Sequence, residues 1–432
     1  MSGLNQEGAR TVTSDGFTRR RALQAAFTAT LAAGSATLGG SRRAAAAGPV
    51  QMISHRYPAL EHYARKMREA IPGVEVNTQL MPFDKANELA TIALSSKADT
   101  LDIVYASDST VLKYAKNGWL RPLDDLFAKF KDEFKLGDIS DSVLNSYRYD
   151  GRLYVLPHTV NVMLFFYRGD VLKQAGKTPP QTIPEYVELA KTLNTPMRAG
   201  TISCLKPVDA SLNETHWYVN ALGDGWFDDK WKPIFNDEKG VAAVEMLKRA
   251  TQYAQRGFSS AANDECMLAL QQDLAAMGLQ WATRAAAMDD PKKSRVTGKM
   301  DWMAAPSGHA RVSGDGYALS AFSKQDPELL FRIIATSSSE SSMREAAALM
   351  VPPRQSVLRD PALARQFRYY PAILASLDTA VPFPALPEFY EAGEFIARRV
   401  LQAVNGEMGV KEALDAAAGE TEQLLKSRGY YG

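Results

Sequence analysis

Apolar and polar positions over residues 50–118 change period in turn, and the changes predict alternating strands and helices. Val50-Gln51-Met52-Ile53 reads as a short strand, followed by a loop, Ser54-His55-Arg56-Tyr57. Pro58 opens a helix with Leu60, Tyr63, Met67 and Ile71 on one stripe, and Pro72-Gly73 ends it. Residues 74–80 alternate like a second strand, and Asp84 is placed to cap a helix through Ser95. Residues 101–105 read as a third strand with Ala106-Ser107-Asp108-Ser109 as its C-terminal loop. A helix over 111–117 then ends at Gly118, in the C′ position. The order β-α-β-α-β-α predicts an α/β domain with a largely parallel sheet. Such sheets gather ligands at the carboxyl ends of their strands, where His55, Arg56, Tyr57, Asp108 and Ser109 fall.

Residues 151–168, GRLYVLPHTVNVMLFFYR, hold two strand-like apolar runs around Pro157 and a polar patch, His158-Thr159-Val160-Asn161. Proline removes a backbone donor, so pairing is expected to break there. Two readings stand side by side: an internal hairpin, or a crossing between two lobes that puts His158 and Asn161 at a cleft. Beyond it the chain turns helical. Thr182 is placed to cap a helix over 184–193 with Glu185 at the capping-box position, and Asp237 to cap another. Residues 202–205 and 275–279 read as short strands, the second leading to Trp281. Strands over 302–305 and 317–320 flank an expected loop, Ser313-Gly314-Asp315-Gly316, and the chain after Pro361 is almost wholly helical.

The length, 432 residues, exceeds what one hydrophobic core holds and predicts two domains. Fifty basic against 49 acidic residues give a net charge of +1, which argues against a nucleic-acid binder or a polybasic membrane anchor. Cys204 and Cys266 match no zinc or redox spacing. They are read either as a pair or as two buried thiols, with free thiols favoured because nothing in the sequence brings them together. At the N-terminus, Thr18-Arg19-Arg20-Arg21-Ala22-Leu23-Gln24 precedes a mildly apolar run, then Arg42-Arg43 and the alanines 44–47. This resembles a twin-arginine signal peptide over residues 1–47, departing from the usual pattern at Ala22 and Gln24. No cysteine lies near the expected cleavage site, so a periplasmic protein without a lipid anchor is expected.

The five histidines share no metal-ligand spacing, and there is no G-x-S-x-G elbow and no phosphate-binding loop. No catalytic residue, metal or cofactor is expected. What remains is aromatic and hydrogen-bonding side chains near element ends: Trp217, Trp281, Tyr317 and Tyr390 among them. A stacked ring with a polar rim suits a sugar, although any one aromatic is more often a core packer. Trp281 is the exception, since it follows a strand-like run and precedes Thr283 and Arg284. Asp108 reads equally as helix cap or ligand contact, and Arg354 equally as salt-bridge partner or ligand clamp.

Several fragments together resemble a family. Residues 101–104 with Lys116-Asn117-Gly118-Trp119-Leu120, the 151–168 stretch, Ala175-Gly176 with Pro179-Pro180 and residues 182–186, Ala221-Leu222-Gly223, Ala275-Ala276-Met277 with Trp281, and Pro352-Pro353-Arg354 fall in the order of the extracellular solute-binding proteins of ABC importers, the maltose-binding group. Arg168 stands where Asn is usual and Ile183 where Trp is. The resemblance implies a two-lobed α/β fold with a central cleft and hinge crossings. It divides the chain into lobe 1 over 48–157 plus 318–355, and lobe 2 over 158–317 plus 356–432. It implies that Asp108, Ser109, Asn161, Trp281, Asp315 and residues 387–390 face the cleft; the reading of the residues themselves adds His158, Trp217, Tyr317 and Arg354 as candidate contacts. The expected function is capture of a sugar or polyol by a monomer that serves an inner-membrane permease. The alternatives are an anion clamped by His55, Arg56 and Arg354, and a secreted carbohydrate-active enzyme.

Overall fold

A computed structural model of the protein describes residues 48–431. The expected signal peptide, 1–47, lies outside them, as does the side chain of Ser109. Ten strands are described: β1 (Val50–His55), β2 (Val76–Met81), β3 (Ile103–Ser107), β4 (Leu120–Arg121), β5 (Arg148–Tyr149), β6 (Arg152–Leu153), β7 (Leu156–Arg168), β8 (Met277–Trp281), β9 (Met300–Met303) and β10 (Val312–Ser320). Eight of them form one sheet in the order β2-β1-β3-β10-β7-β8, with β4 against β10 and β9 against β7. The β1–β2 and β1–β3 pairs are parallel, as the β-α-β pattern predicts, while β10 runs antiparallel to β3 and β7.

The helices Pro58–Glu69, Phe83–Ser95 and Asp108–Lys116 follow the first three strands. The second starts at Phe83 with Pro82 before it, so Asp84 lies inside the helix rather than capping it. The third starts at Asp108 directly after β3, without the expected loop, and Ser107 is its N-cap residue. The Thr110 hydroxyl accepts from the Ser107 amide at 3.0 Å, which satisfies one of the free donors at that end.

The stretch expected as two runs broken at Pro157 is a single strand of 13 residues, β7. Asp315 pairs with Thr159 and Gly316 with Pro157, so the register skips His158, the extra residue of a β-bulge. Pro157 sits beside this irregularity, where a missing amide donor costs least. Further along β7, Leu164 and Phe166 enter one buried cluster with Tyr63, Ile103 and Phe331. Met163 and Phe165 enter a second cluster with Trp217, Val244 and Ile396. Alternate side chains of one strand therefore feed two cores, which is why the sequence there is apolar without a break.

Residues 313–316, expected as a loop, lie inside β10. Gly314 and Gly316 are needed because the strands pass so closely. A Cβ on Gly314 would strike the Thr159 carbonyl and the Tyr147 hydroxyl, and one on Gly316 the Leu156 carbonyl. Residues 202–205 form no strand. They are held instead by Glu214, which accepts from the Ser203 hydroxyl at 2.8 Å and the Cys204 amide at 2.7 Å. The free-thiol expectation is corrected: Cys204 is disulfide-bonded to Cys266, with their Cα atoms 6.2 Å apart. The helix Asn263–Gln271 brings Cys266 there, and Gln255 holds Ser203 at both its amide and its carbonyl. None of these contacts is local in sequence.

Candidate functional site

The β3, β10 and β7 ladders set a row of polar side chains across the middle of the sheet. Asn161 is paired directly with Ser313, and Asp315 with Ser107. Paired residues point to the same face and their Cβ atoms lie about 5 Å apart. Asn161 therefore lies opposite Ser313, with Asp315 two residues along the same face, each only partly buried. Asp108 follows Ser107 at the start of its helix, beside this row. The Asn161 side-chain oxygen is buried and has no partner among the described residues. Tyr57 donates to Asp315 at a long 3.5 Å. Burial pushes the Asp315 carboxyl up to about 6, against the Tyr105 and Tyr57 hydroxyls, which favour its charge. Burial, then Asp315, raises the Tyr57 and Tyr105 phenols in turn.

A buried guanidinium that the sequence did not single out closes the row. Arg311 Nη2 donates to Asp108 Oδ2 at 2.7 Å and to Tyr390 Oη at 2.9 Å. Nη1 donates to Asn213 Oδ1 and lies 3.6 Å from Asp209. The guanidinium carbon stands 3.5 Å from the centre of the Phe383 ring and 5.5 Å from that of Trp281. Asp209, Asn213, Arg311 and Phe383 thus join Asp108, Trp281 and Tyr390 in one cluster. A signal for Arg311 existed: once 312–320 is a strand, a period of two puts Arg311, Ser313 and Asp315 on one side.

Other candidates lie elsewhere. The His158 ring is fully buried between Tyr63 at 5.1 Å and Tyr317 at 4.6 Å, and neither nitrogen hydrogen-bonds another of the described residues. Burial holds it down to about 3, so it is a neutral packing ring. Tyr317, two residues beyond Asp315 on β10, is equally buried and packs on the His158 ring. Trp217 is a core residue: it packs on Tyr186 and Tyr218 and donates to the Pro306 carbonyl at 3.0 Å. Arg354 is no ligand clamp, because its donors go to the carbonyls of Phe134, Lys135 and Ser338 at 2.9, 2.9 and 3.1 Å. Nor is Asp108 the helix cap, a place held by Ser107. A wider groove of about 720 Å³ runs past Met197, Leu268 and Leu274 and contains none of these residues.

Chemically the cluster offers carboxylate and amide acceptors, a guanidinium and two aromatic faces. No group of three or more His, Cys, Asp or Glu among the described residues is placed to hold a metal ion. The model of the bacterial extracellular solute-binding proteins matches residues 56–336. The chain belongs to this family. As a solute-binding protein it recognises a small molecule and does not transform one. It is 23% identical to the mannitol-binding protein of Pseudomonas aeruginosa over 408 residues, covering 86% of this chain and 91% of that protein. It superposes on the solute-binding protein of Agrobacterium radiobacter K84 in complex with ribitol at a TM-score of 0.72 and 24% identity, over 87% of this chain and 99% of that one. The sugar-binding protein MalE of Xanthomonas citri gives a TM-score of 0.75 at 19% identity, over 88% and 98%. The solute-binding protein therefore has the two-lobed α/β fold of periplasmic binding proteins.

Proposed function

We propose that this solute-binding protein captures a neutral sugar or polyol in the periplasm and delivers it to an ABC permease. The observation that carries the reading is the row Asn161-Ser313-Asp315 beside Asp108 and Arg311, a set of hydrogen-bond acceptors and donors of the kind hydroxyls use. Relatives that bind mannitol or ribitol along nearly the whole chain support it. β7 serves both cores, and bending there opens and closes the cleft between lobes. Asp108, Asn161, Asp315, Arg311 and Tyr390 hydrogen-bond the solute, and Trp281 lends an apolar face.

The anion alternative loses its residues. Arg354 is committed to backbone carbonyls, Arg56 lies 3.5 Å from Glu61 on the surface, and burial lowers His55 away from its charged form. Export follows the twin-arginine route, on the strength of Arg19-Arg20 and the alanines at 44–47. Replacing Arg19 and Arg20 with Lys is expected to keep the precursor in the cytoplasm.

The test is a thermal-shift screen of sugars, polyols and phosphate esters on the mature protein. A solute at 100 times its Kd adds about 2.7 kcal/mol to the unfolding free energy, which a melting curve resolves. A shift only with phosphate esters overturns the reading.

A further inference from the structure

The charge balance around Arg311 selects the class of solute. One guanidinium faces two carboxylates: Asp108 at 2.7 Å and Asp209 at 3.6 Å. Three of its four Nη hydrogens go to Asp108, Tyr390 and Asn213, the fourth is on Nη1, which lies 3.6 Å from the Asp209 carboxylate, and the Phe383 ring covers one face. Only Nε is left without a partner among the described residues. A single N–H cannot form the two-pronged contact by which arginine grips a carboxylate. Asp315, on the neighbouring strand position, adds a third acidic side chain to the same row. Anything carrying its own carboxylate would enter a site with more negative than positive charge. A hydroxyl meets no such obstacle, since it donates to the acceptors and accepts from Nε.

We propose that Asp108 and Asp209 are specificity-determining residues: by holding Arg311 between them they leave no free positive charge, so the site takes neutral polyols and turns away the corresponding sugar acids. The inference rests on the reading of this cluster as the solute site. Asp209 is the sharper lever. Its side chain is 57% exposed at the first position of the helix Asp209–Leu222, and asparagine keeps an oxygen that can accept from Asn213 Nδ2, now 3.1 Å from Asp209 Oδ2.

The experiment compares mannitol with mannonate, and ribitol with ribonate, by calorimetric titration of wild-type protein, Asp209→Asn and Asp108→Asn/Asp209→Asn. Each acid differs from its polyol by one carboxylate in place of a terminal hydroxymethyl. Wild-type protein is expected to bind the acid at least about 10-fold more weakly than the polyol, because like charges a few ångströms apart repel strongly in a partly buried site. In Asp209→Asn the acid-to-polyol ratio is expected to shift toward the acid by about 10-fold, and further in the double variant, where Asp108 is also neutral. A ratio unchanged in both variants, with melting curves showing both folded, overturns the inference and leaves the proposed function standing. Wild-type protein that binds the acid as tightly as the polyol overturns it too. Wild-type protein that binds none of the four overturns the inference, which has the site take neutral polyols, while a neutral sugar that raises the melting temperature leaves the proposed function standing.

Discussion

Arg311 Nη2 lies 2.7 Å from Asp108 Oδ2, so the residue leading into β10 is tied to the first residue of the helix after β3. The Arg311 side chain is 3% exposed and that of Asp108 16%, which makes this a buried pair. Buried pairs add little net stability over an apolar substitute, but removing one partner leaves the other uncompensated. The Arg311 guanidinium also meets Asn213 and Tyr390 at once, a fan of contacts that only a planar fork can make.

Arg311→Lys is therefore expected to behave as a severe change. A lysine keeps the charge but reaches at most part of this set. Solute binding is expected to weaken by at least about 10-fold, and the unfolding free energy to fall by about 2–4 kcal/mol. Calorimetric titration with mannitol and urea denaturation read the two effects. A variant that matches wild type in both would remove the guanidinium from the organisation of the site.

Asp315 gives a pH signature. Its folded-state value is pushed up to about 6, above the value near 3.9 of an unfolded aspartate. A raised carboxyl favours the fold while protonated. That contribution is present below about pH 4 and is lost as pH rises through about 6. Asp315→Asn, which stays neutral, is expected to match wild type near pH 4 and to exceed it by roughly 1–3 kcal/mol at pH 7. The difference between the two melting curves across this range isolates Asp315 from every other titrating group. A flat difference would mean that the carboxyl is hydrated.

His158 acts in the opposite direction. Burial depresses it to about 3, below the unfolded value near 6.5. Its stabilising contribution is full above pH 6.5 and is lost as pH falls toward 3. His216 is also held near 3 by burial, so both imidazoles are expected to lose their stabilising contribution in acid. His158→Phe keeps a flat ring between Tyr63 and Tyr317 and gives up no hydrogen bond made by the imidazole nitrogens to another residue. It is expected to cost no more than about 1.5 kcal/mol at pH 7, to move the acid midpoint to lower pH, and to leave mannitol affinity unchanged. Lost affinity would put the imidazole in contact with solute.

Periodicity made the first three strands and their helices legible. The period-two and period-3.6 stretches gave β1, β2 and β3 with their helices to within a few residues. The long crossing was legible in place but not in form. β7 hides its alternation because both faces are buried, and Pro157 looks like a break because only the bulge at His158 accommodates it. The glycines at 314 and 316 suggested a loop by composition, yet they serve the close approach of β10 to its neighbours. That misreading concealed Arg311, whose partner Asp108 was in view. Trp217 and Arg354 were over-read for a related reason: residue type shows what a side chain can do, and depth decides what it does.

The disulfide is the element least visible in the chain. Cys204 and Cys266 are separated by 62 positions, and nothing near either one signals the other. In the chain-entropy model a closed loop of this length is worth about 4 kcal/mol. Cys204→Ser/Cys266→Ser is expected to lower the unfolding free energy by about 2–4 kcal/mol, and a reducing agent to do the same to wild-type protein. Both are read by urea titration with and without reductant. Equal stability in all conditions would show the two sulfurs unbonded in solution.

The two tryptophans separate site from core. Trp217 is 1% exposed, carries a hydrogen bond to Pro306 and packs against two tyrosines. Trp217→Ala leaves a large cavity and an unsatisfied carbonyl, and is expected to cost about 3–5 kcal/mol. Trp281 is 6% exposed at the end of β8, with the Arg311 guanidinium 5.5 Å from its ring. Trp281→Ala removes an apolar wall and the face beneath Arg311, so mannitol affinity is expected to fall by at least about 10-fold while the fold persists. Melting temperature and calorimetric titration on both variants separate the roles. If Trp281→Ala unfolds as readily as Trp217→Ala and binds normally where still folded, Trp281 belongs to the core alone.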